Sequence, residues 1–182
     1  MLTDGISNKG VCLVVGAGDA TGGAIARRFA REGYTTCVTR RSAEKLAPLV
    51  AQIEAAGGKA HAFGSDARKE EEVMALVERI ESTIGAIEVL VFNIGAKHAL
   101  RALAQSMARE LGPRGIHVVH TIIDGAIDTA FIRDLFPERY ALKAQDGILN
   151  PDHIADAYWM LHTQPRDVWT HEIDLRPYME KF

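Results

Sequence analysis

Three groups of residues in this chain have the types and spacing to do chemistry. The first is Gly16-Ala-Gly18-Asp19-Ala-Thr21-Gly22-Gly23, lying between the apolar run Val11–Val15 and the alanine-rich stretch Ala24-Ile-Ala26. A strand, a tight glycine turn and a helix start bring unpaired backbone N–H groups and the positive end of a helix dipole to one point. Such a point holds a nucleotide pyrophosphate, and glycines let the backbone come close to it. The spacing is not Gly-x-Gly-x-x-Gly, since Thr21 takes the sixth position, and no Lys-Ser/Thr follows a glycine as in a P-loop. An ordinary tight turn between strand and helix would look the same, so this stretch alone leaves both readings open.

The second group is Arg40-Arg41, at the end of the next predicted strand. A dinucleotide site usually places an acid there for the ribose 2′-hydroxyl. Two guanidinium groups suit a 2′-phosphate instead, through paired charge-assisted hydrogen bonds. The competing reading is a solvated basic pair, although a helix start disfavours cations. The third group closes the next two strands: Asp66, a helix cap or an acceptor for an adenine amino group, and Asn93 with Gly95, which allow close approach to a ribose.

These positions need elements to hold them. Val11–Val15 reads as a strand buried on both faces, and Ile25 and Phe29 mark the inner face of a helix ending at Gly33. Residues 35–39 form a second strand, Ser42 a plausible N-cap for a helix over 43–56, and Gly57-Gly58 its stop. Residues 59–63 make a third strand. Val73, Leu76, Val77, Ile80 and Ile84 give a strong helical stripe, followed by a strand at 89–92. Leu100, Leu103, Met107 and Leu111 mark a helix from 98, stopped by Gly112-Pro113. A strand over 117–123, a mixed segment at 129–147, a helix opened by Asn150-Pro151 and a strand over 169–175 complete the chain. Alternating strands and helices with short connections predict a doubly wound α/β fold, mainly parallel, in one domain over 1–182. The helix 98–111 is expected to lay strand 117–123 beside strand 89–92.

Composition narrows the partners. The 182 residues are enough for a sizeable core. A net charge of −3 gives no argument for nucleic acid or an acidic membrane. No apolar run approaches the roughly 18–20 residues of a membrane span, and the N-terminus carries no secretion signal, so a cytoplasmic protein is expected. Cys12 and Cys37 read as small buried hydrophobes, and the histidine spacing suggests no metal.

The glycine turn, Asp66-Ala67, Phe92-Asn93-Ile94-Gly95, Ala96-Lys97 opening a helix, and Asp124-Gly125-Ala-Ile127-Asp-Thr129 resemble, in that order, the motifs of short-chain dehydrogenases/reductases. Gly16, Ala20 and Gly22 fall where that family has three glycines. The resemblance covers nearly the whole chain. It implies a Rossmann-type sheet, a cofactor site from Gly16, Gly18, Asp19, Thr21, Gly22, Arg40, Arg41, Asp66, Ala67, Asn93, Gly95, Lys97, Ile127 and Thr129, and NADP(H) in preference to NAD(H). It also implies hydride transfer to or from a small carbonyl or alcohol substrate, and a homo-oligomer.

One departure stands out. The family's catalytic pair is Tyr-x-x-x-Lys, with a serine upstream. Lys97 matches the lysine, but the residue four before it is Asn93, which already belongs to the preceding motif. On the order of fifty to sixty residues are absent at Ala96-Lys97, more than one strand–helix unit of about thirty. Tyr140 and Tyr178 are each followed by lysine three residues later, not four. The expected protein therefore lacks about one helix–strand unit and is impaired in turnover. The alternatives are an inactive NADP(H)-binding or assembly protein, and a methyltransferase, which would want an acid where Arg40 stands.

Overall fold

The computed structural model describes residues 9–93 and 98–180. The chain falls into two compact units, residues 1–94 and 95–182.

The N-terminal unit is built on β1 (Val11–Val15), wholly buried. It continues through α1 (Thr21–Arg31), β2 (Thr35–Arg40), α2 (Ala47–Ala55), β3 (Lys59–Gly64), α3 (Glu70–Thr83) and β4 (Ile87–Phe92). The four strands pair in parallel in the order β3-β2-β1-β4. From β1 the chain steps outward to β3, then returns to the other side of β1. Right-handed crossovers in opposite directions put helices on opposite faces of the sheet. Accordingly Val11, Leu13, Val15 and Cys37 pack with Leu76 and Ile80 of α3. Cys12, Val14 and Val38 alternate to the opposite face and are equally buried. Ile25 and Phe29 of α1 are buried as their spacing predicts.

Both thiols are free and buried. Burial pushes Cys37 up to about 12 and Cys12 higher still. Since the thiolate is the nucleophile, neither cysteine is expected to react with a thiol reagent in the native protein, and both should react in denaturant. Fast labelling without denaturant would refute this packing.

The expected helix over 43–56 is corrected to a 3-10 turn at Ala43–Leu46 followed by α2. Pro48 has no N–H to give the Glu44 carbonyl, so one α-helix cannot run through it, and it sits instead in the first turn of α2. Ser42 caps no backbone N–H; its hydroxyl donates to Glu44 Oε1.

The C-terminal unit contains α4 (His98–Leu111), β5 (His120–Ile123), α5 (Ala130–Leu135), α6 (Pro137–Ala141), α7 (Pro151–His162) and β6 (Glu172–Leu175). β5 and β6 pair in parallel as a two-stranded sheet. Both are shorter than the sequence predicts, because the ladder begins only at His120, whose N–H donates to the His171 carbonyl. The expected pairing of β5 with β4 is replaced by these two sheets. Asn150 caps α7, its Oδ1 accepting from Asp152 N at 2.9 Å.

Candidate cofactor site

β1 and β4 are paired through Val15 and Phe92, and the crossovers change direction between them, the place in such sheets where ligands sit beyond the C-terminal strand ends. The glycine turn lies there. The N–H groups of Gly16 and Ala17 donate to the Thr39 carbonyl, at 3.1 and 2.9 Å, tying the turn to the end of β2. Gly16 has a φ of +86°, which favours glycine. Asn93 closes the turn from β4: its N–H donates to the Val15 carbonyl and its Nδ2 to the Gly16 carbonyl at 3.2 Å.

The start of α1 presses against this turn. A Cβ on Gly22 would stand 2.7 Å from the Gly16 oxygen and 2.9 Å from Ala17 Cα. A Cβ on Gly23 would meet the Gly18 carbonyl oxygen more closely still. At Gly18 a Cβ would meet nothing within 4 Å, so the protein's own packing does not require glycine there. Ala20, at the N-cap, makes no side-chain cap, and the first turn of α1 holds no acid. The N–H groups of Thr21, Gly22 and Gly23 have no acceptor inside the helix. Uncapped donors at the positive end of a helix, beside a bare turn, fit a pyrophosphate. Thr21 is buried and Asp19 exposed.

At the end of β2, Arg40 is half-buried and Arg41 exposed. The Arg40 carbonyl accepts from Ser65 N at 3.1 Å, joining the ends of β2 and β3. Asp66 follows at once, and its role as a cap for α3 is corrected: the N-cap is Lys69, without a side-chain bond. Instead Asp66 Oδ1 accepts from Arg68 N at 3.2 Å and Arg68 Nε at 2.9 Å, and Oδ2 from the same guanidinium. Arg68 holds the Asp66 carboxyl well below the usual carboxylate range. Three acceptor positions are thereby filled, and a carboxylate has about four, which leaves room for one further donor. Ala67 packs against the core cluster beneath α3.

Two features of this site escaped the sequence. Arg68 as partner of Asp66 shows no motif, only the local spacing of an Asx turn. Gly23 was legible in principle as the second of a glycine pair at a helix start.

The remaining expected positions fall outside the described residues or in the C-terminal unit. Gly95 and Lys97 are outside the described residues. In the C-terminal unit, Ile127 bridges to Leu149, and Thr129 Oγ1 caps α5 by accepting from Ile132 N at 3.2 Å. Asp128, between them, pairs with Lys143 at 2.7 Å. Among the described residues no cluster of His, Cys, Asp and Glu could hold a metal, and no helix is long and apolar enough to cross a membrane.

A family profile described as short chain dehydrogenase matches residues 10–96. The chain is 35% identical over 95 residues to a 3beta-hydroxysteroid dehydrogenase of Mediterraneibacter gnavus, covering 52% of this chain and 34% of that one. It is 32% identical over 91 residues to the sorbitol-6-phosphate 2-dehydrogenase of Escherichia coli, covering 49% and 35%. These matches span about a third of the length of the curated relatives. The crystal structure of a short-chain dehydrogenase from Rhodopseudomonas palustris superposes with a TM-score of 0.74 at 32% identity, covering 93% of this chain and 99% of that one.

Proposed function

The chain belongs to the short-chain dehydrogenase/reductase family, and from that premise we propose that it binds NADP(H) at the C-terminal end of β1. The whole protein would act as an oxidoreductase between a small carbonyl and its alcohol. The observation that carries the reading is the uncapped start of α1 set against the turn at Gly16–Gly18.

The chain's own residues would divide the work. The N–H groups of Thr21, Gly22 and Gly23 hold the pyrophosphate, and Gly18 leaves it room. Arg40 and Arg41 take the 2′-phosphate, Asp66 accepts from the adenine amino group, and Asn93 with Gly95 borders a ribose. Lys97, by family resemblance, holds the nicotinamide ribose; Ile127 and Thr129 stand at the family's nicotinamide and phosphate positions. The bound cofactor supplies or accepts the hydride. In the family a tyrosine hydroxyl gives the substrate oxygen its proton, and that residue is missing upstream of Lys97. The same absence favours a second reading, a catalytically inactive NADP(H)-binding or assembly protein. We further place the protein in the cytoplasm, as a homo-oligomer.

Cofactor preference tests the proposal. Hydrogen bonds to charged groups contribute about 1.5–3 kcal/mol, and exposure favours the low end. NADPH is therefore expected to bind about tenfold tighter than NADH. Replacing both Arg40 and Arg41 by alanine should abolish the difference and leave NADH affinity unchanged. Equal affinities for both cofactors in the unaltered protein would make the arginines a solvated surface pair.

A further inference from the structure

An open surface pocket of about 410 Å³ lies in the C-terminal unit, lined by Gly112, Pro113, Arg114, Gly115, Arg166 and Trp169. It sits at the N-terminal ends of β5 and β6, whereas Asp124 to Thr129 follow the C-terminal end of β5. None of its residues has a part in the cofactor site.

The loop that carries Arg166 and Trp169 is tied down. Gln164 and Thr170 bond to each other twice at 2.8 Å, Gln164 Nε2 donating to Thr170 Oγ1 and Thr170 N to Gln164 Oε1. His117 Nε2 lies 2.8 Å from the Thr170 carbonyl oxygen. The imidazole stacks on Trp169 with ring centres 4.7 Å apart and planes 2° apart. One face of the indole is thus occupied, and the ring is held in the pocket wall. Across the pocket, Gly115 turns with a φ of +82°. The Arg166 guanidinium lies over it, three of its atoms 3.6–3.8 Å from the place of a Cβ. Among the described residues no carboxylate lines the pocket, and neither Arg114 nor Arg166 is in an ion pair.

The C-terminal end of α4 favours a nearby cation, which accounts for an arginine at 114. It does not account for a braced loop that brings a second arginine and an indole from the other side. Two guanidinium groups bind carboxylate or phosphate oxygens in forked pairs, and an indole stacks a planar ring. We propose that this pocket binds an aromatic anion, its ring against Trp169 and its carboxylate or phosphate between Arg114 and Arg166.

The chain has two tryptophans, so ¹⁵N-labelled protein gives two indole signals, which Trp159→Phe assigns. Titration with phenyl phosphate and with benzoate is expected to shift the Trp169 signal saturably, with saturating NADP⁺ present or absent. The double variant Arg114→Ala/Arg166→Ala, with an unchanged melting temperature, should weaken binding about tenfold or more. Phenol and inorganic phosphate, each with half of the recognised chemistry, should bind more weakly. The proposal is overturned by a Trp169 signal that does not move, by equal affinity in the double variant, by inorganic phosphate binding as tightly as phenyl phosphate, or by displacement with NADP⁺.

Discussion

The chain, purified and of verified mass, is expected to oxidise NADPH with ketones and aldehydes at no more than a trace. Restoring a segment bearing serine and tyrosine between Ala96 and Lys97 should raise turnover by several orders of magnitude. A positioned acid or base contributes about 10²–10⁴ in rate, and a donor to the developing oxyanion about 10²–10³. Asn93 cannot replace the tyrosine, because an amide neither gives nor takes a proton near neutral pH. Its Nδ2 is moreover engaged with the Gly16 carbonyl. The Tyr140 hydroxyl lies 3.5 Å from Lys143 Nζ, but that lysine is paired with Asp128 and lies in the segment after β5. Turnover of about 1 s⁻¹ or more from the unaltered chain, lost in Lys97→Ala, would reveal an acid that this reading lacks.

Two apolar residues of β4 stand exposed on one face. By register, Leu90 and Phe92 lie opposite Leu13 and Val15, on the face that α3 covers. They are 59% and 43% exposed, although strands of a parallel sheet are ordinarily covered on both faces. A right-handed crossover leaving β4 in the direction that α3 took would lay its helix on that face. The exposed pair is what a missing helix–strand unit would leave behind.

Much of the N-terminal unit was legible because each element carries its own period and stop. Ile25 with Phe29, and Leu76 with Ile80, are four apart and buried, and Gly33 and Gly57 have the positive φ of chain reversals. Boundaries failed where a partner sets them. His117 and Trp169 have strand-like neighbours, yet their rings stack on each other and the β5–β6 ladder begins after both. Pro48 divided a helix whose apolar pattern runs on without a break. At the site, the glycine turn and Arg40-Arg41 could be placed from strand ends alone. The partner of Asp66 could not, because a side-chain pair two residues apart leaves no periodic trace. The separation into two sheets had no signal either, since strand patterns do not say which strand lies beside which.

The glycine turn offers the largest effects to be expected from single substitutions. Gly22→Ala and Gly23→Ala should each abolish measurable NADPH binding and lower stability, whereas Gly18→Ala should weaken binding and leave stability unchanged. At Gly22 the new methyl would meet the Gly16 oxygen at 2.7 Å and Asn93 Nδ2 at 3.0 Å. Backbone atoms are its nearest neighbours, so relief requires moving the turn or the start of α1. Overpacking of this kind costs about 1–3 kcal/mol. Alanine returns up to about 1 kcal/mol through helix propensity, which leaves a modest net loss. Binding is more sensitive than stability, because the same displacement moves the donors of Thr21 to Gly23 off the pyrophosphate. Gly18 separates the two effects: an added methyl has open space, and no positive φ opposes it. Any loss of affinity in Gly18→Ala must then come from the space that the ligand would occupy. Calorimetric titration with NADPH and thermal melts of the three variants supply the measurements. A Gly18→Ala protein that melts and binds like the original would remove the turn from the cofactor site.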